Sequence, residues 1–73
     1  MGPAGRLALW TEFHEKVEAL PAEEREAFDL VWYQELSQPE AAGVLGVSES
    51  TLRRRLRSAK RRLHDLLDGR LPG

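Results

Sequence analysis

Residues 36–56 read LSQPEAAGVLGVSESTLRRRL, and this stretch decides the fold. Ser37 and Glu40 fit a capping box, in which a hydroxyl and a glutamate three residues later bond the free amides at the start of a helix. Pro39 suits the first turn, where its missing N–H would have no partner. The sequence therefore predicts a short helix from Pro39 to about Leu45.

A second helix is expected directly after this one. Gly46 is expected to end the short helix in the left-handed conformation, and Ser48 to cap the next helix. From Glu49, hydrophobic residues repeat every three or four positions to about Leu67, which predicts one amphipathic helix of roughly five turns. A short helix of small residues, a glycine turn and a long basic helix are typical of a helix-turn-helix.

Two further helices are predicted upstream. Apolar residues at helical spacing predict a first helix over residues 8–19, which Pro21 ends. The next helix begins at Ala22 and is apolar over much of its circumference as far as Tyr33, so its aromatic residues are expected to pack in the core. The expected fold is an all-α, four-helix domain without strands, with a C-terminal helix-turn-helix and a winged-helix-like arrangement of helices.

This domain is expected to span residues 8–68. Residues 1–7 are expected to form a flexible tail or to be a cloning remnant, and residues 69–73 a frayed C-terminus.

Charge is distributed unevenly along the chain. Residues 1–47 hold nine acidic and three basic residues, whereas residues 48–73 hold eight basic and three acidic ones. The two balances, −6 and +5, leave a net charge of −1. This separation favours a basic surface for nucleic acid and an acidic surface that faces elsewhere, although two solvated faces of opposite sign would give the same pattern.

The last helix carries the candidate contacts to DNA. A helical wheel places its leucines towards the core and a basic, polar stripe outward, and the first turns of such a helix reach base edges in the major groove. Arginine can bind guanine, glutamate can accept from cytosine, and a helix N-terminus can bind phosphate. The predicted DNA-binding residues are Ser48, Glu49, Ser50, Thr51, Arg53, Arg54, Arg57, Lys60 and Arg61.

The alternative for this stripe is a solubilising face with ion pairs along the helix. Few acids are in register for such pairs: Asp65 could meet Arg61 or Arg62, and Glu49 could meet Arg53. Most of the positive charge is therefore expected to remain unpaired. Arg55, nearer the core, is instead a candidate to brace the fold by pairing with an acid of the earlier helices.

The residues argue against an enzyme. The chain has no cysteine and no apolar run near the roughly 20 residues that a membrane span needs. His64 and Asp65 point about 100° apart on a helix, so they do not form a dyad. His14 and His64 lack partners at metal-ligand spacing. We therefore expect no catalytic residues, metal, cofactor, small-molecule substrate or membrane contact.

Four motifs together resemble a known family. They are LPAEEREAF at 20–28, LSQPEAA at 36–42, LGVSESTLRRRL at 45–56 and AKRRL at 59–63. In this order they resemble region 4 of sigma-70 family factors, most closely the extracytoplasmic-function type, over about residues 13–67.

The resemblance implies a bacterial, cytoplasmic transcription-initiation domain that reads double-stranded promoter DNA at the −35 element. It also implies docking on the β-subunit flap of the RNA polymerase core and, often, control by an anti-sigma factor. By match to the family motif, base contacts fall on Ser50, Arg53, Arg54 and Arg57. Backbone contacts fall around Ser48, Thr51 and Arg61.

The sequence departs from the family pattern at several points. Glu35 stands where the family often has glycine, and Val31 stands at a commonly basic position. The arginine-rich recognition helix prevents transfer of a −35 sequence preference. The family's −10-binding, clamp-docking region is missing from this sequence, so the chain is expected to be a C-terminal fragment of a longer factor.

Two other functions stay open at this point. One is the output domain of a LuxR-type helix-turn-helix regulator, although its fourth helix would be separate from the recognition helix. The other is a sigma-like domain that binds an anti-sigma factor without touching DNA, through an acidic surface containing Trp10, Phe13 and Trp32. As a DNA reader, a single module is expected to bind weakly and with strong salt dependence.

Overall fold

The computed structural model describes the backbone of residues 3–69 and the side chains of residues 8–69. It contains four α-helices and, after the second, a five-residue π-helical turn, and no strand occurs in the described range. The all-α, four-helix fold is thereby confirmed. The elements are α1 (Pro3–Glu18), α2 (Ala22–Phe28), the π turn (Asp29–Tyr33), α3 (Gln38–Leu45) and α4 (Glu49–Leu66).

The N-terminal boundary differs from the prediction. Helix α1 begins at Pro3 rather than near residue 8, so the backbone of residues 3–7, expected as a flexible tail, is helical. Proline is well suited to a first helical position. Residues 1–2, at the start of the expected tail, lie outside the described residues.

The C-terminal end of α4 is closed by hydrogen bonds. Asp68 and Gly69 both have positive φ, at 51° and 78°. The Gly69 amide donates to the His64 carbonyl at 2.8 Å and the Asp68 amide to the Asp65 carbonyl at 3.3 Å, which is the Schellman pattern. Gly69 therefore belongs to the helix cap and not to a frayed end, while residues 70–73 lie outside the described residues.

Helix α4 packs against all the other α-helices and divides the core into two clusters. Its second half, with Ala59 and Leu63, and the C-cap residue Leu67 pack with the buried residues of α1, with Leu20 and with Phe28. Its first half, with Leu52 and Leu56, packs with the buried alanines of α2 and α3. Small residues at these crossings let the helices approach closely, because little side-chain volume separates the backbones.

Helix α2 does not continue to Tyr33 as predicted. It gives way after Phe28 to the π turn, in which the Gln34 amide donates to the Asp29 carbonyl five residues earlier, at 3.1 Å. The wider turn changes the direction of the side chains that follow. Trp32 stacks on Phe28 with ring centroids 5.4 Å apart, but Trp32 and Tyr33 remain 45% and 40% exposed, so they are not the core residues that we expected.

The predicted caps of the helix-turn-helix are confirmed. The Glu40 amide donates to Ser37 Oγ at 3.2 Å, and the Ser37 amide donates to Glu40 Oε1 at 2.9 Å. Gly46 has a φ of +67°, and the Val47 amide donates to the Ala42 carbonyl at 3.0 Å. These bonds fix the length of α3 and the tight turn into α4.

Glu35, in the loop before α3, is held in the left-handed region with a φ of 57°. Leu36 then donates its amide to the Leu30 carbonyl at 3.0 Å, which closes the loop. A side chain with a Cβ costs about 1–2 kcal/mol in this conformation. This cost gives a physical reason for the glycine that is often found at this position in the family that the sequence resembles.

Replacing Glu35 with glycine is expected to stabilise the domain. Relief of the strain, less the greater entropy of glycine in the unfolded chain, leaves about 0.5–1 kcal/mol, or a few degrees in Tm. Thermal unfolding followed by circular dichroism measures the change. Glu35→Ala, which keeps the Cβ, serves as the control, and equal Tm values for the two variants would contradict the strain account.

The capping box predicts a pH dependence. The hydrogen bonds from the Ser37 backbone and side chain lower the pKa of Glu40 below its ordinary value of 4.5. Because the pKa is lower in the folded state, the carboxylate stabilises the fold above the unfolded pKa, and this stabilisation is lost as the pH falls. The Tm advantage of the native chain over Glu40→Ala should therefore be larger at neutral pH than in acid.

Glu40→Gln is the matched control, since a neutral amide can keep the box. The Tm difference between Glu40→Gln and Glu40→Ala should not change with pH. A native advantage over Glu40→Ala of the same size in acid and at neutral pH would refute the role of the charge.

Candidate nucleic-acid interface

The rotation of α4 about its axis is fixed by its buried stripe. Leu52, Leu56, Ala59 and Leu63 are all buried, as their spacing predicted. Side chains half a turn away must then point to solvent, because residues advance by about 100° each along an α-helix. The opposite face of α4 is therefore set by the core.

Eight of the nine predicted DNA-binding residues are exposed on α4 or at its N-cap. Thr51 is half-buried and the other predicted contact residues are exposed. Ser58 is half-buried, because it lies at the groove between α2 and α4. We use the term reading face for the exposed members, which are Ser48, Glu49, Ser50, Arg53, Arg54, Arg57, Lys60 and Arg61.

The N-terminus of α4 is built around the Ser48 hydroxyl. Ser48 Oγ accepts from the Thr51 amide at 3.1 Å and donates to Thr51 Oγ1 at 3.0 Å, and it lies 3.2 Å from Ser50 Oγ. The cap thus satisfies the Thr51 amide. The Glu49 and Ser50 amides precede the regular hydrogen bonds of the helix, so they are oriented as donors for an anion such as a phosphate.

Two arginines at the edge of α4 pair with α2. Arg55 Nη2 lies 2.8 Å from Glu23 Oε2, so the predicted pairing of Arg55 with an acid of the earlier helices is confirmed. Arg62 donates from Nε and Nη2 to the two carboxylate oxygens of Glu24, at 2.9 and 3.1 Å. The hydrogen bonds and charge of Glu24 raise the pKa of Arg62.

The Arg62–Glu24 pair was missed by sequence reasoning, which offered Asp65 as a possible partner of either Arg61 or Arg62. Asp65 instead lies near His64, with 3.9 Å between His64 Nδ1 and Asp65 Oδ1. Glu24 is 38 residues from Arg62 in the chain, so only the packing of α2 on α4 brings them together. The excess of acidic residues among residues 1–47 indicated that an acidic partner for Arg62 was available, but it did not identify that partner.

The basic residues of the reading face form no ion pair with any side chain that the structure describes. Within residues 8–69, no ion pair involves Arg53, Arg54, Arg57, Lys60 or Arg61. Arg53, Arg57 and Arg61 stand four residues apart, a spacing at which like charges repel. Such a row is stabilised by a polyanion lying along it.

A second surface is acidic and partly aromatic. An open cleft of about 570 Å³ lies between α1 and the π turn, where His14 Nδ1 is hydrogen-bonded to the Tyr33 hydroxyl. Burial, and then the charges of Asp29 and Glu18, raise the pKa of Tyr33. The lining residues, none of them from α4, are Thr11, His14, Glu15, Glu18, Asp29 and Tyr33.

The aromatic residues proposed for a protein-docking surface are not equally available. Phe13 is buried and Trp10 is partly buried against the core, whereas Trp32 is exposed. In the described part of the chain, no three side chains of histidine, aspartate or glutamate are arranged to hold a metal ion. None of the helices between residues 3 and 69 combines the length and hydrophobicity that crossing a bilayer requires.

A family model described as Sigma-70, region 4 matches residues 10–63. The match begins in α1, includes all of α2 and α3, and ends in the last turns of α4. Comparisons with curated proteins and with solved structures gave no significant match.

Two substitutions of Ser48 distinguish its role as a helix cap from a role in binding a phosphate. Ser48→Ala should lower the free energy of unfolding by about 1 kcal/mol, because the Thr51 amide loses its acceptor. Ser48→Asp keeps an acceptor at the cap but adds a negative charge, so it should retain stability and weaken binding to duplex DNA. Urea unfolding and fluorescence anisotropy measure the two effects, and undiminished binding by Ser48→Asp would place the phosphate elsewhere.

Proposed function

Since the chain belongs to the sigma-70 region 4 family, whose model covers well over half of its residues, we propose that it recognises the promoter −35 element as the C-terminal domain of an RNA polymerase sigma factor. Region 4 is a DNA-binding regulatory domain and not an enzyme family. The finer assignment, to one promoter element and one place in transcription initiation, is supported by the shape and charge of α4.

One observation carries the proposal. The core turns one face of an uninterrupted 18-residue helix outward, and the basic residues on that face have no acidic partner among the described residues. Such a helix is about 27 Å long, and a major groove about 12 Å wide accepts it. An unpaired basic helix face is the feature that duplex DNA recognition requires.

The first three turns of α4 would read the bases. Arg53, Arg54 and Arg57 can each bind a guanine edge through two hydrogen bonds, and Glu49 can accept from a cytosine amino group. Lys60 and Arg61, farther along the helix, would contact the phosphate backbone. The free amides at the start of α4 would bind a phosphate and set the register of the helix in the groove.

The proposed cellular setting is the bacterial cytoplasm, with the β flap of the polymerase core as protein partner and, in regulated cases, an anti-sigma factor. The exposed aromatic ring of Trp32 and the neighbouring acidic cleft support a protein contact on this side of the domain. Helix α4 contributes no residue to that cleft. A complex could therefore use this surface while the reading face remains on DNA.

The exposed Trp32 also favours a second candidate function, a domain that binds an anti-sigma factor and does not touch DNA. The unpaired cations of α4 argue against it. A LuxR-type output domain is less well supported, because the match is to region 4 and α4 continues unbroken to Leu66.

Binding to a pool of random-sequence duplexes, at low and at physiological salt, tests the proposal. The native chain should enrich a motif, and its affinity should fall steeply as salt rises, because bound phosphates release counterions. Arg54→Ala combined with Arg57→Ala should abolish the enrichment.

Lys16→Ala combined with Arg25→Ala also removes two positive charges, but from positions outside the reading face. This control should keep the motif. Absence of binding by the native chain even at low salt would reject the DNA-reading function and favour the protein-docking candidate.

A further inference from the structure

The two paired arginines lie beside the reading face. Arg55 and Arg62 line a groove of about 420 Å³ between α2 and α4, and Arg54 of the reading face lines the same groove. Arg62 is 53% exposed, whereas the Glu24 side chain beneath it is only 13% exposed. Arg62 therefore lies at the surface, close to where a DNA backbone flanking α4 would run.

The carboxylates occupy the donors that a phosphate would use. Glu24 takes both Nε and Nη2 of Arg62, the planar fork with which arginine binds phosphate oxygens. Glu23 takes Nη2 of Arg55 at 2.8 Å. Each guanidinium is thus neutralised within the protein before any nucleic acid arrives.

This pairing has a consequence for specificity. Phosphate contacts supply essentially all of non-specific binding, whereas base contacts distinguish one sequence from another. In a non-specific complex no base contact fixes the position of α4, so two more free arginines at its edge would turn to the nearest phosphates. In a specific complex the base contacts fix α4, so the gain there is smaller and the ratio of specific to non-specific affinity falls.

Resting on the proposed DNA-reading function, we propose that Glu23 and Glu24 are internal phosphate mimics that hold Arg55 and Arg62 off the DNA backbone and so increase sequence discrimination. They are positioning residues: they act through the two arginines and do not contact DNA. A purely structural brace would give the opposite result on removal, since loosening α4 weakens binding to all duplexes.

The test uses Glu23→Gln combined with Glu24→Gln, a selected duplex and a random-sequence duplex, with affinity measured across a salt series. Freed Arg55 and Arg62 should tighten binding to the random duplex. The slope of log affinity against log salt should steepen by about one unit for each arginine freed, and the discrimination ratio should fall. Glu15→Gln combined with Glu26→Gln is the charge-matched control, because both residues are exposed and neither pairs with α4.

A charge-neutral variant, Glu24→Gln combined with Arg62→Gln, decides the matter if the first variant unfolds. It should keep the salt slope of the native chain, because Arg62 is already neutralised. A slope shallower by about one unit would show that Arg62 binds phosphate and would overturn the proposal.

A folded Glu23→Gln, Glu24→Gln variant that binds random duplex no more tightly than the control would also overturn it. If the native chain binds no duplex at all, the DNA-reading function fails and this inference fails with it. The two failures are distinguishable, because the native chain still binds DNA if only this inference fails and binds none if the DNA-reading function fails.

Discussion

Burial of one stripe of α4 is the constraint on which the rest of the structure depends. Fully burying a leucine contributes about 1.5–3 kcal/mol, whereas a surface ion pair contributes about 0–1 kcal/mol. Leu52, Leu56 and Leu63 therefore outweigh the pairs that Arg55 and Arg62 make with α2. The leucines set the rotation of the helix, and the ion pairs are possible only because that rotation places the arginines beside α2.

The same constraint separates the charges of the molecule. With one face of α4 in the core, its basic residues divide into two groups. One is an outward row that has no acidic partner among the described side chains, and the other is an edge pair neutralised by Glu23 and Glu24. The remaining acids lie largely on the upstream elements, including those that line the cleft beside Tyr33. The packing of this one helix thus gives the domain a basic face suited to a polyanion and, away from it, an acidic face suited to a protein.

Features determined by neighbours in the chain were predictable from the sequence. The capping box of Ser37 and Glu40, the left-handed Gly46 and the Ser48 cap each depend on residues within five positions, so their patterns are local. The buried stripe of α4 was predictable from its spacing. The exposed basic row followed from the same wheel, and with it most of the candidate interface.

Features determined by packing were not predictable in the same way. Nothing in the sequence after Phe28 marks the π turn, from which Trp32 contacts Phe13 of α1 with ring centroids 5.8 Å apart. The pairing of Arg62 with Glu24 requires the crossing of α2 and α4, and spacing along one helix suggested Asp65 instead. The left-handed Glu35 was visible only as a departure from a family motif, because its strain is a property of the folded loop.

A nitrogen-15 NMR titration of the domain, with a duplex selected from a random pool, tests whether α4 meets DNA with the face that the core turns outward, since each backbone amide reports separately. We expect the largest shift changes on the first turns of α4, from Ser48 to Arg57, continuing to Arg61. Shift changes centred on the cleft between α1 and the π turn, with α4 unaffected, would refute DNA reading by α4.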